Sequence, residues 1–176
     1  MSPKNKTDLM IDIETLGTTP GSAILSIAAV PFNIFSPLEH FYQKVSQKSC
    51  IEVGLTVDDA TVDWWNKQPI EVQQEAFSGR VHISVVLAKL SSYIETLGPV
   101  RVWGDGASFD VPLLEAAYAK CGLKPKWKYY DSMCYRTLKN LFPHMAVGAA
   151  KMKHNALEDA RYQASVCEQI LKLLRV

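Results

Sequence analysis

Two carboxylate side chains stand two positions apart near the start of the chain, at the end of the apolar run in LMIDIETLG (residues 9–17). The run predicts a buried strand, and side chains two positions apart on a strand share one face, so Asp12 and Glu14 point the same way. Unpaired negative charges taken out of water cost several kcal/mol each. The pattern therefore predicts a positive partner at this face of the strand.

A second group of polar residues lies in HNALEDARYQA (residues 154–164). Five positions on a regular helix correspond to about 140° of rotation, so His154 and Asp159 would not share a face if both were helical. Asn155 followed by Glu158 resembles a capping box, which predicts a helix with Asn155 as its N-cap. His154 and Asp159 then occupy the N′ and N4 positions, which pack together in a staple. An exposed histidine beside a solvated aspartate stays an open alternative.

A third candidate is Asp110 in WGDGASFDVPLL (residues 103–114). This aspartate follows a short buried strand and a tight glycine turn, which is where open α/β sheets place their sites. The alternative is that Asp110 only caps the helix that follows, with Pro112 tolerated in the first turn.

Together these segments supply four hard oxygen ligands, from Asp12, Glu14, Asp110 and Asp159. Carboxylates without cysteine or clustered histidine favour magnesium or manganese over zinc, so a zinc hydrolase is the weakest interpretation. Two such ions about 3.5–4 Å apart stabilise the attacking and leaving oxygens of an in-line phosphoryl displacement. The set predicts metal as the positive partner of the first two carboxylates.

The elements that must position these residues follow from the apolar periodicity. Strands are predicted up to about residue 14, at 22–32, at 40–47 and at 100–103, with a short one inside 127–142 before a helix capped by Asp131. Helices are predicted at 58–77 with a break near Pro69, at 82–98, at 109–121 and in the last segment. That last helix carries an apolar stripe of Leu157, Ala160, Ala164, Cys167, Leu171 and Leu174. Consecutive strands followed by strands interleaved with helices predict a mixed α/β sheet covered by helices.

The length of 176 residues predicts one domain spanning 1–176, with a polar and loose start at residues 1–7. No signal peptide or bilayer-spanning apolar run is present, so no membrane partner is expected. The four cysteines form no CxxC or CxC pair and are interpreted as reduced thiols of a cytoplasmic protein, some of them in the core.

Charge is distributed unevenly along the chain. Residues 120–153 contain eight basic residues and one acid, whereas residues 1–119 contain 8 basic and 14 acidic residues, a net charge of −6. The basic stretch is also rich in aromatic residues, among them Trp127, Tyr129, Tyr130 and Tyr135. This combination fits a polyanionic partner held against a metal site, and a merely solvated face is an equally open alternative.

The three motifs resemble, in order, those of the DnaQ-like 3′–5′ exonucleases of the DEDDh type, which have an RNase H-like fold. The D-x-E motif is Asp12-Ile13-Glu14, the F-D pair is Phe109-Asp110, and H-x4-D runs from His154 to Asp159. The resemblance implies a mixed five-stranded sheet flanked by helices, four acids that bind two Mg²⁺ ions (with Mn²⁺ as a substitute), and His154 as the general base. Tyrosine-type relatives carry tyrosine where this chain has Asn155, which indicates the histidine type.

The resemblance is greatest to a small phage and bacterial subgroup that contains both exodeoxyribonucleases and exoribonucleases. One departure is Asp105, because that subgroup has asparagine at this position of the glycine turn. By resemblance, Thr15 and Leu16 should contact the 3′-terminal nucleotide and Phe109 should stack on it. Trp64 and Trp65 point about 100° apart on a helix, so at most one should be core and the other is free to meet a base.

The leading hypothesis is a metal-dependent exonuclease that removes nucleotides from the 3′ end of single-stranded DNA. An exoribonuclease that trims RNA 3′ ends is the nearest alternative, and a non-catalytic RNase H-like nucleic-acid-binding module is a less favoured one. A homodimer and a monomer are both open, because several relatives are dimers and the sequence shows no self-complementary surface.

Overall fold

A computed structural model describes residues 6–32, 38–145 and 154–174. They form five strands and seven helices, with short 3₁₀ segments at Tyr129–Asp131 and Pro143–Met145. The strands are β1 (Thr7–Thr15), β2 (Ile24–Phe32), β3 (Phe41–Lys44), β4 (Val100–Gly104) and β5 (Ser132–Cys134). The helices are α1 (Gln47–Glu52), α2 (Asp59–Trp65), α3 (Ile70–Ala76), α4 (Ile83–Leu97), α5 (Asp110–Lys120), α6 (Tyr135–Leu141) and α7 (Ala156–Leu174).

The strands form one mixed sheet in the order β3-β2-β1-β4-β5. The first three strands pair antiparallel, while β4 runs parallel to β1 and β5 parallel to β4. The antiparallel start follows from short connections, and the parallel pairs follow because helices cross between the strands. The expected mixed five-stranded α/β sheet is therefore confirmed.

Strand β1 lies in the centre of the sheet and is covered on both faces. Leu9, Ile11 and Ile13 pack in one hydrophobic cluster with α4 and α5, whereas Met10 packs in a second cluster with α7. Because the side chains alternate, Asp12 and Glu14 share the face of Met10 and point toward α7. Seven of the nine β1 residues are buried, so polar groups on this strand must find partners inside the protein.

Several predicted boundaries are confirmed and others are wrong. The break near Pro69 separates α2 from α3, and α4 ends at Gly98, whose φ of 74° suits glycine. The predicted third strand at 40–47 is shorter, because α1 begins at Gln47 with Ser46 as its N-cap. That helix was not predicted, and its six residues are too few to show a helical period.

Asp131 does not cap α6, contrary to the prediction. It precedes β5, is buried, and forms an ion pair with Lys6, while Cys134 is the N-cap of α6 and its Sγ accepts a hydrogen bond from the Thr137 N–H. The short strand predicted inside residues 127–142 is present as β5, but it lies between Asp131 and α6, so Asp131 stands too far from the helix to cap it.

The ends of the chain also differ from expectation. Thr7 is the first residue of β1 and its N–H donates to the Pro99 carbonyl, so residues 6 and 7 are ordered, whereas residues 1–5 lie outside the described part. In α7 the predicted stripe is buried at Ala160, Ala164 and Cys167, but Leu174 is 56% exposed because the helix runs past the sheet.

All four cysteines are free thiols, and Cys50 and Cys167 are buried as expected. No helix within the described ranges is long and apolar enough to cross a bilayer.

The two adjacent tryptophans of α2 separate as the helical geometry predicts. Trp65 is 1% exposed, lies against Phe77, and donates from its indole Nε1 to the Thr15 carbonyl at 2.9 Å, whereas Trp64 is 41% exposed. One tryptophan therefore holds α2 against the end of β1, and the other stands at the surface.

We expect the two tryptophans to differ sharply in their effect on folding. Trp65→Ala should lower the free energy of unfolding by about 3–5 kcal/mol, because it removes a buried aromatic side chain and a hydrogen bond to β1. Trp64→Ala should cost about 1 kcal/mol or less, as for other exposed sites. Urea denaturation of both variants measures this, and equal losses would contradict the packing seen here.

Candidate active site

Three carboxylates from opposite ends of the chain converge at the end of β1. One oxygen from each of Asp12, Glu14 and Asp159 lies within 4.8 Å of the other two. Asp12 and Glu14 reach this point from β1, and Asp159 reaches it from the first turns of α7, which crosses the same face of the sheet. The predicted convergence of these residues is therefore present in the fold.

Asp110 joins the group from the other side, at the start of α5. Its Oδ2 accepts a hydrogen bond from the Asp105 N–H at 2.6 Å, and its Oδ1 accepts one from the Ile13 N–H at 3.3 Å. The N-cap of α5 is Phe109, which makes no side-chain cap, so Asp110 does not act as the cap. Its carboxylate instead ties the glycine turn after β4 to the strand that carries the other acids.

The start of α7 is organised by Asn155. The side-chain oxygen of Asn155 accepts hydrogen bonds from the N–H groups of Leu157 and Glu158, both at 3.1 Å, as the predicted N-cap should. The carboxylate of Glu158 pairs with Arg161 at 2.7 Å. Only the asparagine half of the capping box is therefore seen among the bonds described.

His154 precedes this cap with a left-handed backbone, at φ 60°. Its N–H donates to Asp159 Oδ2 at 3.0 Å, so the predicted contact between the two residues is made through the backbone. The imidazole packs edge-on against Trp64, with ring centroids 4.7 Å apart, and lines the cleft above the acids. The left-handed conformation, uncommon outside glycine, aims this ring at the cleft.

Burial raises the pKa of all four carboxyl groups, and neighbouring carboxylates, including Asp105 for Asp110 and Asp159, add to the effect. The pKa of Glu14 rises to about 8, chiefly because the group is buried and then because Asp159 and Asp110 are near. The pKa of Asp12 is raised well above its ordinary value by burial and by the three other acids. Burial raises the pKa of Asp110 to about 7 against the opposing effect of its backbone hydrogen bonds, and burial also raises that of Asp159.

The residues present fit divalent cations. The cluster combines hard carboxylate oxygens with no cysteine, which is the donor set that magnesium and manganese prefer. One carboxylate oxygen from each of Asp12, Glu14 and Asp159 lies within 4.8 Å of the other two. The raised pKa values of Asp12 and Glu14 indicate that their negative charges are not fully offset by nearby positive charge. A cation would supply that charge, as the sequence predicts.

One residue that contacts the acids was missed by the sequence reasoning. Gln163 is 6% exposed, lies on the sheet-facing side of α7, and donates from Nε2 to Asp12 Oδ1 at 2.7 Å. A signal was present, since glutamine stands four positions after Asp159 between Ala160 and Ala164 on an otherwise apolar stripe. A polar residue at such a position usually has a partner in the core.

The acids form the floor of a cleft of about 590 Å³. Its walls include Thr15, Trp64 and Phe109, all of which were predicted to meet the substrate. Trp65 also lines the cleft but is 1% exposed, which does not fit the stacking role considered for it. Leu16 is 0% exposed and packs in the core, so its side chain does not reach the cleft in this conformation.

Asp105 is the position at which this chain differs from the subgroup that it resembles, and its carboxylate forms a salt bridge with Arg136. Its Oδ1 accepts from Arg136 Nε at 3.0 Å, and its carbonyl accepts from Arg136 Nη2 at 2.7 Å. The guanidinium also lies against Gly106, where a Cβ atom would stand 3.4 Å from the Arg136 Cζ. The extra negative charge is thus balanced at the cleft edge, and the salt bridge rigidifies the turn that carries Asp110.

The aromatic side chains of the basic stretch, residues 120–153, lie partly in the core and partly at the surface. Trp127 and Tyr135 are buried, whereas Tyr129 and Tyr130 are 85% and 62% exposed. The described lysines of this stretch that stand at the surface include Lys120, Lys124, Lys126 and Lys128. Lys151 and Lys153 lie outside the described residues.

Comparison with known proteins agrees with this geometry. The model of the 3′-5′ exoribonuclease Rv2179c-like domain family matches residues 7–171, and the chain belongs to that family. The exodeoxyribonuclease of Enterobacteria phage T4 is 27% identical over 121 residues, which cover 61% of this chain and 53% of the relative. The chain thus spans about half the length of that curated relative.

Two solved structures share the fold. Cell-death related nuclease 4 (CRN-4) has a TM-score of 0.58 and 14% identity, covering 96% of this chain and 64% of its own. A full-length 3′-exonuclease has a TM-score of 0.60 and 17% identity, covering 96% of this chain and 83% of its own. At these identities the likeness shows the fold, and it confirms the expected RNase H-like sheet flanked by helices.

We expect the metal-free protein to lose stability as pH rises. A carboxyl group whose pKa is higher in the folded than in the unfolded state holds its proton more tightly when folded, so stability falls between the two values. For Glu14 this interval runs from the ordinary value of 4.5 to about 8. Thermal unfolding in EDTA should show a melting temperature that decreases from about pH 5 to about pH 9.

The control for this pH series is Glu14→Gln, which removes one of the titrating groups and should flatten the curve. Added Mg²⁺ should reduce the decrease in the unmodified protein, since a cation stabilises the ionised form. A melting temperature that stays level across this range in EDTA would contradict the burial of the acids.

Gly104→Ala should impair turnover more than it impairs folding. A Cβ atom at Gly104 would stand 3.0 Å from both the Cβ and the Oδ2 of Asp110, so the carboxylate must shift. Misplacing a reactive group by about 1 Å can cost about 100-fold in rate. Gly122→Ala is the matched control, because that glycine has φ 67° and no neighbour within 4 Å, so it should lose stability and keep turnover.

Proposed function

We propose that this chain is a metal-dependent 3′–5′ exonuclease that removes nucleotides from single-stranded ends. The observation that supports this most strongly is the buried cluster of acids at the floor of a cleft walled by Trp64 and Phe109. Membership of a family described as 3′-5′ exoribonucleases supports the same conclusion. Four intact acids also disfavour a non-catalytic binding module, because retaining buried repulsive charge serves no purpose in one.

The acids would hold two Mg²⁺ ions, with Mn²⁺ as a substitute. Asp12, Glu14 and Asp159 are the nearest to one another, and Asp110 completes the set from α5. When bound, such ions stabilise the negative charge on the attacking and leaving oxygens of an in-line displacement. The protein's part is to orient and shelter these carboxylates through the central strand and the two helices, and bound cations would offset the raised pKa values and favour the ionised form.

His154 is the residue best placed to act as general base. Its ring lines the cleft above the acids and is held by an edge-on contact with Trp64 and by the backbone bond to Asp159. A neutral imidazole in this position takes the proton from an attacking water, a role worth about 10²–10⁴-fold in rate. Because the His154 N–H donates to Asp159, the general base and one metal ligand are held close to each other.

Trp64 offers an exposed aromatic face at the cleft wall, and Phe109 stands on the α5 side. Stacking of a base on an aromatic side chain is worth about 1–3 kcal/mol and tolerates any sequence. Together with Thr15 at the end of β1, these residues would hold the terminal nucleotide over the acids.

Charge around the cleft indicates where the rest of the strand lies. The α2 side carries three exposed acids, Asp58, Asp59 and Asp63, whereas the opposite edge carries Arg136 and leads to the exposed Lys128 and Tyr129. Because like charges repel a polyanion, the strand should leave the cleft over the Arg136 edge. The basic and aromatic surface noted in the sequence would then contact the backbone and bases further from the end.

Both DNA and RNA are candidate substrates. The T4 relative is named an exodeoxyribonuclease, whereas the family description names an exoribonuclease. We favour single-stranded DNA, with trimming of RNA 3′ ends as the second candidate.

The test is incubation with 5′-labelled single-stranded DNA and RNA oligonucleotides in Mg²⁺, Mn²⁺ or EDTA. We expect a ladder that shortens from the 3′ end with either metal and no reaction in EDTA. Asp12→Asn should abolish turnover, His154→Ala should lower it about 10²–10⁴-fold, and Trp64→Ala should mainly raise KM.

Glu168→Gln is the matched control, since this acid lies on α7, pairs with Lys172 at 3.2 Å, and should leave turnover unchanged. A wild-type protein that shortens neither substrate, or an Asp12→Asn variant that keeps its rate, would refute the proposal. The relative rates on the two oligonucleotides decide between DNA and RNA.

A further inference from the structure

A buried amide on α7 contacts the acid at the centre of the site. Gln163 donates from Nε2 to Asp12 Oδ1 at 2.7 Å, across 151 positions of the chain. Both residues are buried, at 6% and 8% exposure. This hydrogen bond directly links the last helix to a carboxylate of the cluster.

Packing alone does not account for this glutamine. Its Oε1 is buried and accepts no hydrogen bond from any residue that the structure describes. A buried acceptor without a partner costs about 1–3 kcal/mol, and Ala160 and Ala164 on the same helix pack in an apolar cluster. Among the described residues the amide of Gln163 bonds to Asp12, and this contact points to a role at the site.

We propose that Gln163 is a positioning residue that orients the Asp12 carboxylate for a divalent cation, an inference that rests on the proposed metal-dependent function. An amide N–H fixes the rotation of the carboxylate by holding one oxygen. Because the donor is neutral, it leaves the negative charge of Asp12 available, whereas lysine or arginine there would compete with the cation. Partners that hold metal ligands in this way are typically worth 10–100-fold in metal affinity or activity.

The position of Gln163 on α7 extends this role. Asp159 lies one helical turn before it, so the two side chains project from the same face of one rigid helix. Asp159 supplies a carboxylate, and Gln163 orients the carboxylate that β1 supplies. Docking of α7 thereby sets two members of the cluster at once, and their relative placement does not depend on a loop.

The test measures Mn²⁺ binding by titration calorimetry in the absence of nucleic acid. Gln163→Met keeps the length of the side chain and removes the donor, so we expect Mn²⁺ affinity to fall about 10–100-fold. The melting temperature in EDTA should change little, because Asp12 loses a donor while the buried Oε1 is removed. In turnover assays the Mg²⁺ concentration for half-maximal rate should rise, and KM for the oligonucleotide at saturating metal should not change. Gln169→Met is the matched control, because this glutamine is exposed on the same helix.

A second variant keeps the proposal testable if Gln163→Met does not fold. Gln163→Asn keeps the amide but is one methylene too short to reach Asp12, so it should lose metal affinity in the same way. Wild-type affinity in either folded variant would overturn the role of Gln163, while the proposed function would stand. A wild-type protein that binds no Mn²⁺ would instead refute the metal-dependent function itself.

Discussion

The crowding of four carboxylates, with Asp12 and Asp110 buried and Glu14 and Asp159 partly buried, is the constraint on which the rest of this structure depends. Water would ordinarily screen such charges, but the centre of the sheet and the helix above it exclude water, and the pKa values of Glu14 and Asp110 rise to about 8 and about 7. The surrounding elements hold these groups together against that repulsion. Backbone N–H groups hold Asp110 and Asp159, and a side-chain amide holds Asp12. The fold thus stores an unfavourable arrangement of charge that divalent cations would relieve.

Each residue around the cluster is itself fixed by a neighbour. Trp65 holds α2 to the Thr15 carbonyl, which places Trp64 beside His154. Arg136 pairs with Asp105 and stiffens the turn that leads to Asp110. A substitution at any of these supporting contacts should therefore change the geometry of the site without replacing one of the acids. The same reasoning explains why the extra charge of Asp105 is tolerated beside an already acidic site.

Much of the site could be predicted because its residues violate local expectation. Carboxylates at the end of an apolar strand and a histidine before an asparagine N-cap are visible without any structure. So is the expectation that at most one of Trp64 and Trp65 is in the core, although the sequence does not show which one. The central place of β1, its strand pairing and the covering helices also follow from periodicity and connection length. The predicted sheet and its covering helices were confirmed by the fold, whereas the roles of the site residues stay predictions.

What could not be predicted depends on contacts between distant segments or on very short elements. The family resemblance suggested Leu16 as a substrate contact, yet its side chain fills the core beneath the site. The role of Asp131 was wrong because a three-residue strand separates it from α6, and nothing in the sequence shows that Lys6 is its partner. Gln163 was missed because its partner stands at the other end of the chain.

That separation has a consequence for the order in which the cluster can form during synthesis. Asp12 belongs to β1, while Asp159 and Gln163 belong to α7, so the contacts of the cluster join distant parts of the sequence and no local fragment contains it. A ribosome-bound chain that has emerged only as far as α6 contains all five strands but lacks His154, Asp159 and Gln163. The cluster is therefore complete only after α7 has been synthesised, and a chain that stops before α7 lacks it.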